Sequence, residues 1–442
     1  MSTATRISDA VENWFQTSTC QKKYSRDDWT VLSGIVLQYP LRDSENDEFR
    51  VLACATGSKC VGRDRSDSDG FVVNDCHAEV LARRSFMRYL YHEAIFWRTV
   101  SNGKIASELA KNSIFTPNDT NGKFVLKNQH RLHVYISESP CGQASIYPLK
   151  SEIVNKHIAN RIHRNGNGKD TEQTSTKLRK TGAKLCKTSV YELDSNAKVP
   201  RFRTKSGRSD IPPHRQTLSL SCSDKIAKWM ILGIQGTLLT QWFDHVYLSS
   251  IVIGQDLSCE SQQFQENAIK RSLWEQNLDI MIEPVRCTVV PSVGYRFGAH
   301  KRTAGVKIAS IAVNWTECED HWQNALNEMK PLVEKGFLCN IQREEILLAG
   351  YGIREGGRYP KTTDVDESRL QRRAIASRLS KASFYAVWQC LMQADKLCSY
   401  KDAKKHIWNA KEHFSESQLK YVRIYHSRNG RDLYLEQDSD EL

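Results

Sequence analysis

No stretch of this 442-residue sequence holds the roughly 18 consecutive apolar residues that a membrane-spanning helix needs. The opening residues, MSTATRISDAVENWF, lack the basic-then-apolar order of a secretory signal and carry Asp9 and Glu12 early. A cytosolic or nuclear protein without a membrane partner is therefore expected. No internal repeat is evident, so array architectures are excluded. Hydrophobic residues make up 40% and charged residues 26%, an ordinary globular balance that argues against low-complexity disorder. Acidic residues are the scarcer charge. Against 63 Lys and Arg there are 51 Asp and Glu, a formal charge of +12 that suits a polyanionic partner such as RNA. The 13 cysteines are odd in number and scattered, which favours metal ligands and small buried side chains over a disulfide framework.

Apolar spacing predicts helices over 9–16 (Val11, Trp14, Phe15) and 28–39 (Trp29, Leu32, Ile35, Val36). FRVLACATGSKC reads as an extended segment that breaks at Gly57. A long helix is expected from about Asp75 to Trp97, and a short strand at His133–Ser137. Residues 161–184 hold seven Lys or Arg against two acids and read as a solvated insertion or substrate loop, continuing in kind to about Pro213. Beyond it come a helix from Cys222 to about Trp242, a strand in HVYLSSIVIG, another over 306–315, and two helices over 366–413. Interleaved strands and helices predict one α/β domain with insertions.

The most informative residues are Asp75-Cys76-His77-Ala78-Glu79. H-x-E followed by P-C-x-x-C is the signature of nucleobase zinc deaminases, with a glutamate that does not ligate the metal. Pro140-Cys141 follows the strand as that pattern requires, but Ala144 stands where the second cysteine should be. A catalytic zinc keeps three protein ligands and an open fourth position. Cys222, at the start of the next strong helix, is the candidate third ligand. Cys76 would point about 100° away from His77 on a helix, and Cys60 and Cys186 are weaker alternatives. The chosen set is His77, Cys141 and Cys222. Zinc there would bring the pKa of water down to about 7. Glu79 would move the proton from water to the purine and then to the leaving amine.

Three blocks, NDCHAEVLARRSFMRYLY, SESPCGQASIY and SCSDKIAKWMILGIQGTLL, together resemble the RNA-editing adenosine deaminase family. Weaker matches such as VLACATGSKC and IAVNW extend the likeness over roughly residues 50–410. The resemblance implies a cytidine-deaminase-like mixed β-sheet flanked by helices, with family-specific insertions and a C-terminal helical part. It implies a zinc ligand from the SCSDK block. Expected boundaries are a helical extension over 1–50, the deaminase domain over 51–420 with a basic insertion at 160–213, and a tail over 421–442. Only about fifty residues precede the domain, too few for an added RNA-binding domain. The likeness is therefore nearest to the tRNA-specific branch, which modifies adenosine 37, just 3′ of the anticodon of alanine tRNA. A monomer acting on the anticodon stem-loop, with no DNA partner, is expected. The alternatives are a non-catalytic RNA-binding protein on the same fold and an editor of other structured RNA. The presence of Glu79 argues against the first.

Helical projection from His77 places Arg84 on the same side, flanked by Val80, Leu81, Met87 and Tyr91, and puts Lys225 and Trp229 on the side of Cys222. Inward cations require an anion. The resemblance implies that this anion is inositol hexakisphosphate. Asn74, Arg83, Arg84, Ser219, Lys225, Trp229, Gln235, Thr237 and Lys381 fall on matching positions. Lys228 stands where an arginine is usual, Tyr400 and Lys404 match a C-terminal part, and Lys396 matches less closely. The terminal SRNGRDLYLEQDSDEL lacks a tryptophan and a lysine that the resemblance implies. Ser58, Lys59 and Lys205 fall on positions near the substrate, and the basic stretch Arg161–Lys184 is suited to stem phosphates.

Overall fold

Period-two burial builds the centre of the molecule. In the strand Leu32–Pro40 (β1), Ile35 and Leu37 enter the core on one face, and Leu32 and Val36 the core on the other. The strand runs antiparallel between Asp47–Thr56 (β2) and Arg131–Ile136 (β3). Ser250–Gly254 (β4) joins β3 and Arg286–Val290 (β5) joins β4, both parallel. Beyond β2 lie Ile311–Thr316 (β6), Glu344–Leu348 (β7) and Ile353–Arg354 (β8), all antiparallel. The order β5-β4-β3-β1-β2-β6-β7-β8 is a mixed sheet. The computed structural model describes residues 1–41, 47–104, 107–155, 184–185, 202–205, 211–275, 286–290, 299, 307–328, 342–362, 364–393, 399–410, 413–419 and 421–422.

Helices cover both faces: Thr3–Thr17 (α1), Ala78–Ser101 (α2), Cys222–Leu232 (α3), Gln262–Lys270 (α4), Val365–Ile375 (α5), Lys381–Met392 (α6) and Tyr400–Ala410 (α7). Ser2 caps α1 by accepting from the Thr5 amide. Ile7, Val11 and Phe15, four residues apart, are fully buried beneath it. Each such side chain stabilises the layer by about 1.5–3 kcal/mol. On the opposite face α2 buries 21 of its 24 residues, so it is the centre of the core rather than a surface helix. No helix among the described residues is long and apolar enough to cross a membrane.

The α/β class and the mixed sheet flanked by helices match the sequence-based expectation, but several elements differ. Residues 28–39 form a two-residue strand at Asp28–Trp29 and then β1, not a helix. Burial on both faces fills consecutive positions with apolar side chains and hides the period of two. The boundary expected at residue 50 falls inside β2, and β1 is a central strand, so Leu32–Pro40 and the first residues of β2 belong to the sheet. The long helix begins at Ala78, because Asp75–His77 is extended and pairs with Ser58–Cys60. The helix expected to reach Trp242 stops at Leu232, where Gly233 (φ +79°) and Gly236 (φ +78°) take positive-φ conformations that L side chains rarely adopt. Residues 245–249 are not strand, and α5, α6 and α7 replace the two helices expected over 366–413. Nearly all of the basic insertion, and 423–442 of the tail, lie outside the described residues.

Candidate active site

The ladder between Ser58–Cys60 and Asp75–His77 sets the first half of the site. Its register places Ser58 opposite His77 and Lys59 opposite Cys76. Side chains alternate along a strand, so Cys76 turns away from His77 into the core. His77 is the N-cap residue of α2, and Glu79 lies in that helix's first turn.

Asp75 is the hub. Its Oδ1 lies 2.8 Å from His77 Nδ1 and accepts from the His77 amide at 3.0 Å and the Cys60 thiol at 3.1 Å. Its Oδ2 accepts from Lys225 Nζ at 2.8 Å, from Ser219 Oγ at 2.9 Å and from Lys205 Nζ. Burial alone would raise the Asp75 pKa, yet Lys205, Lys225 and His77 outweigh it and hold the carboxyl well below its usual range. The same contact raises the Lys205 ammonium above its ordinary value against the effect of burial.

Cys141 and Cys222 complete the set. Cys222 is the first residue of α3, where Ser221 caps the helix by accepting from the Asp224 amide. The Cys222 amide donates to Cys141 Sγ at 3.3 Å. Cys141 follows β3 on a loop locked to α3, since its carbonyl accepts from the Ser223 amide at 3.0 Å and from Ser223 Oγ at 3.1 Å. Gly142, at φ +107°, leaves room for this approach: a Cβ there would lie 2.3 Å from both Ser221 Oγ and Ser223 Oγ. The Cys222 thiol lowers the Cys141 pKa to about 6, with Lys205 and His77 helping against burial. Burial and the neighbouring Cys141 push Cys222 up.

The ligand atoms of His77, Cys141 and Cys222 lie within 4.8 Å of one another. Cys60, Asp75 and His77 form a second group of that size. The two share His77, and the hydrogen bonding separates them. With Nδ1–H directed at Asp75, only Nε2 is left to ligate, and Asp75 acts as the carboxylate partner that orients a metal-bound imidazole. One imidazole and two thiols with a fourth position open are the donor set of a catalytic zinc site. Glu79 is 3% exposed, and its Oε2 has no hydrogen-bond partner among the described residues. It is near enough to both thiols to act on their ionisation.

Behind this centre the buried cations collect. Arg83 donates from Nε to the Ile234 carbonyl at 3.0 Å with its guanidinium 5.2 Å from the Trp229 ring. Arg84 donates to the Leu379 carbonyl at 2.7 Å. Lys228, Lys381 and Lys404 are buried as well. Burial, then Lys228, Lys381, Arg83 and Arg84, depress the Lys404 pKa well below its ordinary value. A hollow partly open to solvent is lined by Arg83, Lys228, Trp229, Gln235, Thr237 and Trp408, among others. Trp229 Nε1, Thr237 Oγ1 and Trp408 Nε1 are buried there without hydrogen-bond partners among the described residues. Converging cations and unspent donors fit a polyanion.

The other expected contacts divide. Gln235 uses its amide on the Leu232 carbonyl and the Val246 amide, shaping the wall of the hollow. Burial raises the pKa of Tyr400 to about 12, and its ring lies 4.5 Å from Lys404 Nζ. Lys225 and Ser219 meet at 2.8 Å and both reach Asp75, linking the cation cluster to His77. Asn74 precedes Asp75, and its carbonyl accepts from the Val61 amide. Ser58 Oγ is buried without a partner among the described residues, and Lys59 is half-buried beside it. Lys205, expected near substrate, turns its ammonium to Asp75. Lys396 and Cys186 lie outside the described residues.

Sequence reasoning gave no role to Asp75, Trp408 or Asp224. Asp75 is two residues before His77 and so shares its side of a strand, a relation hidden once that segment is taken for helix. Trp408 is one helical turn beyond Lys404, which a projection of α7 would have found. Asp224 accepts from Ser221 Oγ at 2.6 Å and the Arg203 amide at 2.8 Å, tying the segment that carries Lys205 to the start of α3.

The sequence model of the adenosine-deaminase (editase) domain matches residues 53–330. The chain belongs to that family. It is 31% identical over 265 residues to the double-stranded RNA-specific adenosine deaminase of Mus musculus, covering 56% of this chain and 19% of that protein. It is 32% identical over 256 residues to tRNA-specific adenosine deaminase 1 of Drosophila melanogaster, covering 58% and 54%. To tRNA-specific adenosine deaminase 1 of Mus musculus it is 25% identical over 343 residues, covering 58% and 64%. The match thus spans less than two thirds of each of these relatives.

Proposed function

We propose that this domain hydrolyses the exocyclic amine of adenosine in tRNA, giving inosine and ammonia, with adenosine 37, 3′ of the anticodon of alanine tRNA, as its target. The observation that carries the proposal is the meeting of His77, Cys141 and Cys222 within 4.8 Å, with Glu79 buried nearby and its Oε2 without a hydrogen-bond partner among the described residues. Those three residues would hold zinc, which when bound makes water a nucleophile at neutral pH. Glu79 takes a proton from the water and gives it to the purine ring nitrogen as the oxygen bonds to C6. It then takes the remaining proton from the hydroxyl on C6 and passes it to the departing amine, leaving the C6 carbonyl of inosine and a regenerated carboxylate. Asp75 keeps the His77 ring oriented throughout.

The cation cluster would hold inositol hexakisphosphate. Arg83, Arg84, Lys228, Lys381 and Lys404 would supply the charge, with Trp229, Thr237 and Trp408 the neutral donors. A tRNA substrate is supported by the +12 charge, by the basic insertion and by the names of the tRNA-specific relatives. An anticodon loop offers an adenosine already unpaired, which lowers the cost of drawing the base into a buried site. A soluble monomer in the cytoplasm or nucleus completes the proposal. Sequencing of total tRNA as cDNA, with and without the enzyme, tests it. An A-to-G change beside the anticodon is expected, and unchanged tRNA would overturn it.

A further inference from the structure

Two short 3-10 turns lie together next to the Ser58–Cys60 strand: Arg63–Arg65, and Pro213–Arg215 from the far end of the basic insertion. They are joined where the Arg63 amide donates to the Gln216 carbonyl at 3.2 Å. Arg63, His214 and Arg215 are exposed. The Arg65 guanidinium lies 4.2 Å from the centroid of Tyr351, itself 40% exposed, so a flat cation is held against an aromatic ring at the surface. Asp64 is 3.9 Å from Arg215 Nε, the two side chains 29% and 63% exposed, a pair too weak to neutralise the cluster, while Asp67 and Asp69 are paired with Arg372. Arg63 is five positions beyond Ser58, a span of at most about 18 Å. The proposed metal site does not use this cluster, and Arg63, His214 and Arg215 are exposed rather than packed into the fold.

We propose that Arg63, Arg65, His214 and Arg215 form a phosphate-binding ledge beside the entrance to the site, gripping the RNA strand that carries the target adenosine. The proposal rests on the RNA deaminase function above and adds a contact surface to it. Planar guanidiniums bind phosphate in a forked geometry that lysine cannot reproduce. Because the two turns come from segments about 150 residues apart and are linked by backbone, the ledge also fixes where the end of the basic insertion sits relative to the entrance. Its contribution is to register of the strand and not to the chemical step.

The test uses the full chain with an alanine tRNA transcript and compares wild type, R63E/R215E and R63K/R215K. For R63E/R215E, KM is expected to rise about tenfold or more with kcat within twofold. The slope of log affinity against log salt should fall by about 2, roughly one per lost phosphate contact. The lysine variant should recover the salt slope and only part of the affinity. An R63E/R215E protein that edits with wild-type KM and salt slope overturns the ledge and leaves the deaminase function standing. A wild type that forms no inosine, yet binds the tRNA with a slope that R63E/R215E loses, overturns the function and leaves the ledge standing. A loss confined to kcat overturns the ledge.

Discussion

Lys225 Nζ stands 2.8 Å from Asp75 Oδ2, joining the first turn of α3 to the strand that ends in His77. Two ligand-bearing segments far apart in sequence are thus held by an ion pair that is almost entirely buried. Lys205 shares the same carboxylate, so two ammoniums converge on one anion.

Removing that anion should be costly. Asp75→Ala leaves two buried cations without their partner and is expected to destabilise the fold by about 3–5 kcal/mol. Asp75→Asn keeps the shape and loses the charge, so metal affinity should fall about 10–100-fold through the disoriented His77. Chemical unfolding and metal content after dialysis against a chelator measure the two effects. Wild-type metal retention in Asp75→Asn would contradict the role given to Asp75.

In the proposed reaction Glu79 carries the proton transfers and none of the architecture. Glu79→Gln should lower kcat at least 10²–10⁴-fold, the usual range for a lost general acid–base. Zinc content and thermal midpoint should stay at wild-type values. Inosine formation at the normal rate would refute its assignment.

The buried cations make a claim about composition. Protein purified and dialysed extensively should retain one inositol phosphate per chain, detected by mass spectrometry after denaturation. Lys404→Glu places a carboxylate among Lys228, Lys381, Arg83 and Arg84, and should lower that stoichiometry. An active preparation without any bound polyanion would remove the claim.

His133 gives the fold an acid limit. Its ring lies 2.7 Å from Ser250 Oγ and 2.8 Å from Gln38 Oε1, and burial, aided by Arg131, lowers its pKa from 6.5 to about 4. The folded state therefore resists a proton that the unfolded chain accepts. Stability is complete above pH 6.5 and is lost as pH falls to about 4, a change on the order of 3 kcal/mol. His133→Gln should flatten this dependence. Urea unfolding of both proteins between pH 7 and pH 4 decides it, and parallel curves would rule His133 out as the cause.

Much of the site could be read from the sequence because its chemistry is local there. His77 with Glu79, Pro140 with Cys141, and the capped start of α3 at Ser221-Cys222 each announce themselves within a few residues. Choosing Cys222 over Cys60 needed a ligand count, and the hydrogen bonds of Asp75 supply the physical reason for that choice. What escaped depended on tertiary context. Residues 28–39 carry apolar side chains at helical intervals, yet both faces of β1 are covered, which erases the strand signature. Gly233 and Gly236 interrupt an apolar pattern that runs unbroken into Leu238 and Leu239. Lys205 is expected near substrate, and only the fold shows its ammonium against Asp75.

A helix with almost no outside, as α2 is, leaves little freedom for change. Nearly every substitution along it must refill a space or replace a charge partner. New substrate preferences, whether selected in nature or sought by engineering, have their room in the turns and insertions around the entrance. The scaffold that carries the histidine and glutamate is the last place to look for them.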